Sequence, residues 1–96
     1  MGQDHANEAQ QASYRRTGAE FIMSDIELAF TFLDVARTSL VADTRRRNQM
    51  NARTAYEAIL RFLPRSLSAF SVAERQAMEG NVAELKNCLE QLGEVF

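Results

Sequence analysis

Apolar positions recur along this chain with helical spacing. Ile22, Ile26, Ala29, Leu33, Ala36 and Leu40 follow one another at alternating intervals of four and three residues, which sets them on one stripe of an α-helix. Ala52, Ala55, Tyr56, Ile59 and Leu63 repeat the pattern, with Leu60 and Phe62 flanking it. Met78, Val82, Leu85, Leu89, Leu92 and Phe96 do so a third time. A brief period-two alternation in "ELAFTFL" is overruled by the helical register on both sides of it. Three amphipathic stripes with short connections predict an all-α fold, an antiparallel up-down-up three-helix bundle.

Start and stop signals set the expected boundaries. Thr17 with Glu20 and Ser24 with Glu27 both have capping-box spacing, and Thr17 is the better start because Phe21, Ile22 and Met23 already follow the pattern. Ser71 with Glu74 opens the third helix in the same way. Pro64 ends the second, since its ring offers no N–H and disfavours helix in the residue before it. In "PRSLSAF", Leu67 and Phe70 are expected to plug the end of the bundle. The run Arg45-Arg46-Arg47 favours the last turn of a helix over the first, because cations oppose the positive end of the helix dipole. The first helix is therefore expected to run to Arg46, with a turn near residues 48–50 and Asn51 as the next N-cap. Asp43 as N-cap of an earlier second helix is the competing placement. The expected elements are 18–46, 51–63 and 71–94, in a bundle over 17–96. Residues 1–16 hold no Leu, Ile, Val or Phe. They bury too little to offset ordering entropy and form a polar leader expected to be flexible or weakly helical.

Charge and composition narrow the function classes. Ninety-six residues make one domain. The formal charge is −2, which argues against bulk attraction to nucleic acid or anionic lipid. No apolar run has the length of a membrane span, and the polar start has no signal-peptide core. One cysteine, Cys88, cannot form an intramolecular disulfide, and a cytoplasmic setting is expected. One histidine, His5, far from Cys88, makes no metal site. Paired carboxylates (Glu20, Glu27, Asp34) lie on a polar face, and no phosphate loop, nucleophile elbow or zinc-binding helix is present. Neither catalysis nor a cofactor is expected. From Arg37 to Arg65 seven basic residues stand against Asp43 and Glu57; from Glu74 to Glu94 five glutamates stand against Arg75 and Lys86. Those two helices are expected to neutralise one another, at a few tenths of a kcal/mol per exposed pair.

The first helix is more apolar than two neighbours require. Beyond the stripe, Phe21, Leu28, Phe32 and Val35 widen the apolar arc on one side, and Met23, Phe30 and Val41 on the other. Uncovered apolar patches of this size are unusual on monomers. The arc is covered by the leader, by a second copy or by a partner. Phe21, Leu28, Phe32 and Val35 are the candidate residues for self-association or partner contact. Arg45, Arg46 and Arg47 are a weaker candidate for contact with a polyanion, since on a helix they point about 100° apart and form no single stripe.

Ala36, Asp43, Ala52 and Tyr56 lie in "FLDVARTSLVADTRRRNQMNARTAYEAILRFL", which is followed by "LKNCLEQLGE". This stretch resembles MIT (microtubule-interacting and trafficking) domains and related TPR-like helical hairpins, although its inter-helix turn is longer and richer in arginine. The resemblance implies a three-helix module that holds a short amphipathic helix in an inter-helix groove, for MIT domains mainly the one between the first and third helices. The leading expectation is a protein-interaction or self-assembly module whose partner is another protein helix or a second copy. The alternative is a nucleic-acid-associated regulator using Arg15, Arg16 and Arg45–Arg47. Salt dependence separates the two, because polyanion binding weakens steeply with salt.

Overall fold

The three apolar stripes meet in one core. A computed structural model of the chain describes the backbone of residues 2–96 and the side chains of residues 18 and 20–96. Helix α1 spans Gly2–Thr38, α2 spans Ala42–Ser66, a 3-10 turn occupies Leu67–Ala69, and α3 spans Val72–Gln91. They form an all-α, up-down-up three-helix bundle in which α1 and α2 make the most extensive contact and α3 packs across both. At about 1.5 Å per residue, the 37-residue α1 accounts for the long dimension of the 61 × 23 × 19 Å molecule.

The core follows the periodicity closely. Ile22, Ile26, Ala29 and Leu33 of α1, Ala52, Tyr56 and Ile59 of α2, and Met78, Leu85, Cys88 and Leu89 of α3 are buried together. Ala36 is buried as well. Phe70 is buried in the core and Leu67 half-buried beside it, as a plug at the α2–α3 connection requires. The Ser71–Glu74 capping box is complete: Ser71 Oγ accepts from Glu74 N at 3.1 Å, and Glu74 Oε1 accepts from Ser71 N at 3.0 Å.

Four boundaries differ from those read in the sequence. First, helical backbone begins at Gly2, so Thr17, Glu20, Ser24 and Glu27 lie inside a helix and do not mark its start. A segment rich in Ala, Gln, Glu and Arg carries good helix propensity. How the side chains of residues 1–17 pack lies outside the described residues. Second, α1 stops at Thr38 and α2 starts at Ala42, so the turn lies at residues 39–41 and not near 48–50. Ser39 builds that turn. Its Oγ accepts from Val41 N at 3.2 Å, and its carbonyl accepts from Arg45 Nη1 at 3.1 Å. Leu40, expected on the stripe, therefore projects into solvent at 95% exposure. Val41, not Asn51 or Asp43, is the N-cap of α2. Third, α2 continues two residues past Pro64. The proline sits in the last turn on an exposed stretch, and Ser66 Oγ donates to Phe62 O at 3.4 Å below it.

Fourth, α3 ends at Gln91, and Phe96 is not on it. Gly93, at φ 98°, closes the helix. Glu94 N donates to Leu89 O and Gly93 N to Glu90 O, at 3.0 and 2.9 Å, the two bonds of a Schellman motif. The turn sends Phe96 back over α2, where its ring meets Tyr56 edge-on at 5.2 Å and lies 4.0 Å beneath the Arg53 guanidinium.

Candidate functional site

Projected at about 100° per residue, Phe21, Leu28, Phe32 and Val35 lie on the flank of α1 turned towards α2. Phe21 is 59% exposed, Leu28 46% and Val35 36%. Phe32 is half-buried and packs against the core, so it forms the floor from which the other three rise. On α2 the matching flank carries Asn51, Ala55, Ala58 and Phe62. Ala55 and Ala58 are half-buried, and Phe62 remains 38% exposed. Phe21 and Phe62 line one cleft together with Gly18, Ile22, Arg65 and Ser66. Helix α3 lies on the other side of the hairpin. There Met23, Ile26 and Glu27 of α1 face Glu74, Ala77, Met78 and Asn81 across a groove of about 160 Å³. The face bearing Phe21, Leu28, Val35 and Phe62 is thus the one that α3 leaves open.

Residues from the sequence-read set and newly placed ones come together here. Phe62 was legible only as a residue flanking the α2 stripe; the hairpin register brings it opposite Phe21. Asp25 is half-buried on the same flank of α1. Burial raises its carboxyl above the ordinary value, because desolvation disfavours the charged form.

Arg45, Arg46 and Arg47 lie in the opening turns of α2. Arg45 is committed to the Ser39 carbonyl at the end of α1. In an antiparallel hairpin the start of α2 adjoins the end of α1, so this cation serves the negative end of the neighbouring dipole. Arg45 and Arg46 share a concavity with Ala42, Gln49, Met50 and Glu94. Arg47 is exposed and does not line it. The triplet is divided between two directions, and a carboxylate stands within the part that is shared.

Cys88 is buried, with Arg37 Nη1 3.9 Å from its sulfur and its thiol directed at Glu84 Oε1 at 3.6 Å. Burial pushes the thiol up; Arg37 opposes the shift by its charge, and Glu84 adds to it. A thiol held protonated is a poor nucleophile. Among the described residues no three His, Cys, Asp or Glu side chains group so as to hold a metal ion. Nor is any helix among them long and apolar enough to cross a membrane. Comparison with known proteins finds no family model, no curated protein and no solved structure that matches the chain.

Proposed function

We propose that the chain is a helical interaction module whose working surface is the open face of the α1–α2 hairpin. The observation that carries this reading is the alignment of Phe21, Leu28 and Val35 with Phe62, all exposed and all on the side away from α3. Isolated exposed apolar side chains are ordinary, whereas a contiguous row across two helices marks a contact surface. An amphipathic helix laid along the hairpin has matching geometry, since anchors at helical spacing fit a groove between two helices. The resemblance to MIT domains implies the same class of function, a module that receives a helix, although it implies a groove mainly between the first and third helices and not this face.

The experiment is a comparison of the wild type with the double variant Leu28→Arg, Val35→Arg. Both positions are at the surface, so the fold is expected to persist, with a melting temperature within a few degrees of wild type. Mass by light scattering reports self-association. Quantitative recovery of bound proteins, with each form as bait, reports partners. Loss of association in either arm supports the reading. A double variant that melts like the wild type and loses nothing in both arms refutes it.

A further inference from the structure

Resting on that reading, we infer that the occupant of the α1–α2 face is a second copy of this chain, related by a two-fold axis parallel to the helices. In that arrangement α1 of each copy lies antiparallel to α2 of the other. Four helices then form a shared seam, with the two α3 helices on the outside.

Shape is the first support. The α1 side of the face is a ridge of bulky exposed side chains, Phe21, Leu28 and Val35, over the half-buried Phe32, while the α2 side between its ends carries smaller side chains, Asn51, Ala55 and Ala58, and forms the trough. Gly18 lies against Ser66, and Phe21 shares a cleft with Phe62. These neighbours set the hairpin register, and a two-fold axis along the helices preserves those heights. Leu28 and Phe32 of one copy therefore stand level with the Ala55–Ala58 and Asn51 trough of the other. Ridge enters trough twice, as a self-complementary two-fold contact requires. The alternative two-fold, perpendicular to the helices, sets ridge against ridge and trough against trough.

Charge selects the same arrangement. From residue 20 onwards α1 carries Glu20, Asp25, Glu27 and Asp34 against Arg37, whereas α2 carries six arginines against Asp43 and Glu57. On the open flank itself α1 carries Asp25, while α2 carries Arg47, Arg61 and Arg65, so pairing α2 with α2 opposes base to base and pairing α1 with α2 does not. In the chosen arrangement Asp25, on the open flank of α1, comes within one turn of the height of Arg61 of the second copy. Opposed signs of this kind fix register and exclude the wrong pairing. Area is sufficient as well. A face two helices wide and about 20 residues long offers roughly 600 Å² per copy and so about 1,200 Å² in total, above the ~1,000 Å² total that a specific interface needs.

The test uses the full chain. Sedimentation equilibrium of the wild type is expected to give twice the chain mass. Leu28→Arg is expected to weaken the dimer by about 10–100-fold, the effect of removing one buried Leu-sized side chain. Two single-cysteine chains, Leu28→Cys and Ala58→Cys, both in a Cys88→Ser background, fix the arrangement. Mixed and oxidised, they are expected to cross-link to each other, while Leu28→Cys alone stays uncross-linked. A strictly monomeric wild type overturns the inference. In that event a protein retained by the wild type and lost by the double variant still supports the wider reading. A dimer that cross-links Leu28 to Leu28, or a dimer indifferent to Leu28→Arg, overturns the inference too; the second also removes the face as the working surface.

Discussion

Arg53 ties the segment after α3 to the middle of α2, and replacing it with Ala isolates that contribution. Its Nη1 donates to Val95 O at 3.0 Å and lies 3.9 Å from a Glu94 carboxylate oxygen. Its Nε donates to Glu57 at 2.9 Å, and its guanidinium lies over the Phe96 ring. The side chain is 28% exposed, so solvent discounts each contact. A charged hydrogen bond to the carbonyl contributes about 1.5 kcal/mol at the low end of its range. Stacking on Phe96 adds ~0.5–1 kcal/mol, and the exposed pair with Glu57 adds ~0.3–0.5 kcal/mol. Ordering the arginine and the segment it holds takes back a part, leaving a net loss of roughly 1–2 kcal/mol. In a domain of this size that lowers the melting temperature by roughly 5–15 °C. Urea unfolding of Arg53→Ala, Phe96→Ala and the double variant reads the coupling directly, and ~0.5–1 kcal/mol is expected. Arg53→Lys keeps the charge but not the planar fork, and is expected to recover less than half of the loss. Strict additivity of the two alanine variants, or an Arg53→Ala melting point within 2 °C of wild type (roughly the effect of a neutral surface change), would show that Arg53 does not clamp this segment.

Other perturbations separate core from surface. Leu33→Ala, at a fully buried position, is expected to cost about 2–5 kcal/mol in urea unfolding, whereas Leu28→Ala at low protein concentration is expected to cost under ~1 kcal/mol. Asp25→Asn is expected to stabilise the monomer modestly at neutral pH. The raised carboxyl makes folding cost most once pH exceeds the folded-state value, and the penalty disappears below the unfolded value of 3.8. Melting curves of the two forms should therefore converge in acid; a gap that widens there contradicts the assignment. Replacing Arg45, Arg46 and Arg47 together with Gln is expected to change stability by under ~1 kcal/mol, with Arg45 contributing most through Ser39. Salt-sensitive DNA or RNA binding lost in that variant would instead favour a polyanion contact. Gly93→Ala, at φ 98°, is expected to cost roughly 1–2 kcal/mol, the strain of a left-handed residue with a Cβ.

Most of the core was legible because a buried stripe is a statistical property of many positions. Ile22 through Ala36, Ala52 through Ile59 and Met78 through Leu89 were each fixed by several mutually consistent residues. The ends were not, because each depends on one or two local hydrogen bonds. The α1–α2 turn rests on Ser39, whose hydroxyl competes for backbone partners and ends a helix that Leu40 appeared by spacing to continue. The arginine run misled for a related reason. Dipole logic correctly put cations near the end of α1, but in a hairpin they reach that end from α2, as Arg45 does. Phe96 kept its place against the core while leaving the helix, because the turn at Gly93 returns the chain to Tyr56.

The arc on α1 shows where periodicity ends and topology begins. Spacing alone identified Phe21, Leu28, Phe32 and Val35 as beyond the stripe, yet could not say which flank a neighbour would cover. Placing α3 against the Met23–Glu27 flank decides it, leaving the opposite flank beside α2 open. Phe32 then separates from its companions: it lies close enough to the stripe to pack on the core, so polar substitution there perturbs stability and surface together. Leu28 and Val35 stand farther round and perturb the surface alone. The same geometry explains why α2 holds alanines where α1 holds bulky residues. Small side chains at 55 and 58, both half-buried, allow the two helices to approach. An apolar ridge beside a shallow trough on one face is self-complementary under only one of the two in-plane two-folds, and the charge segregation between α1 and α2 favours that same one.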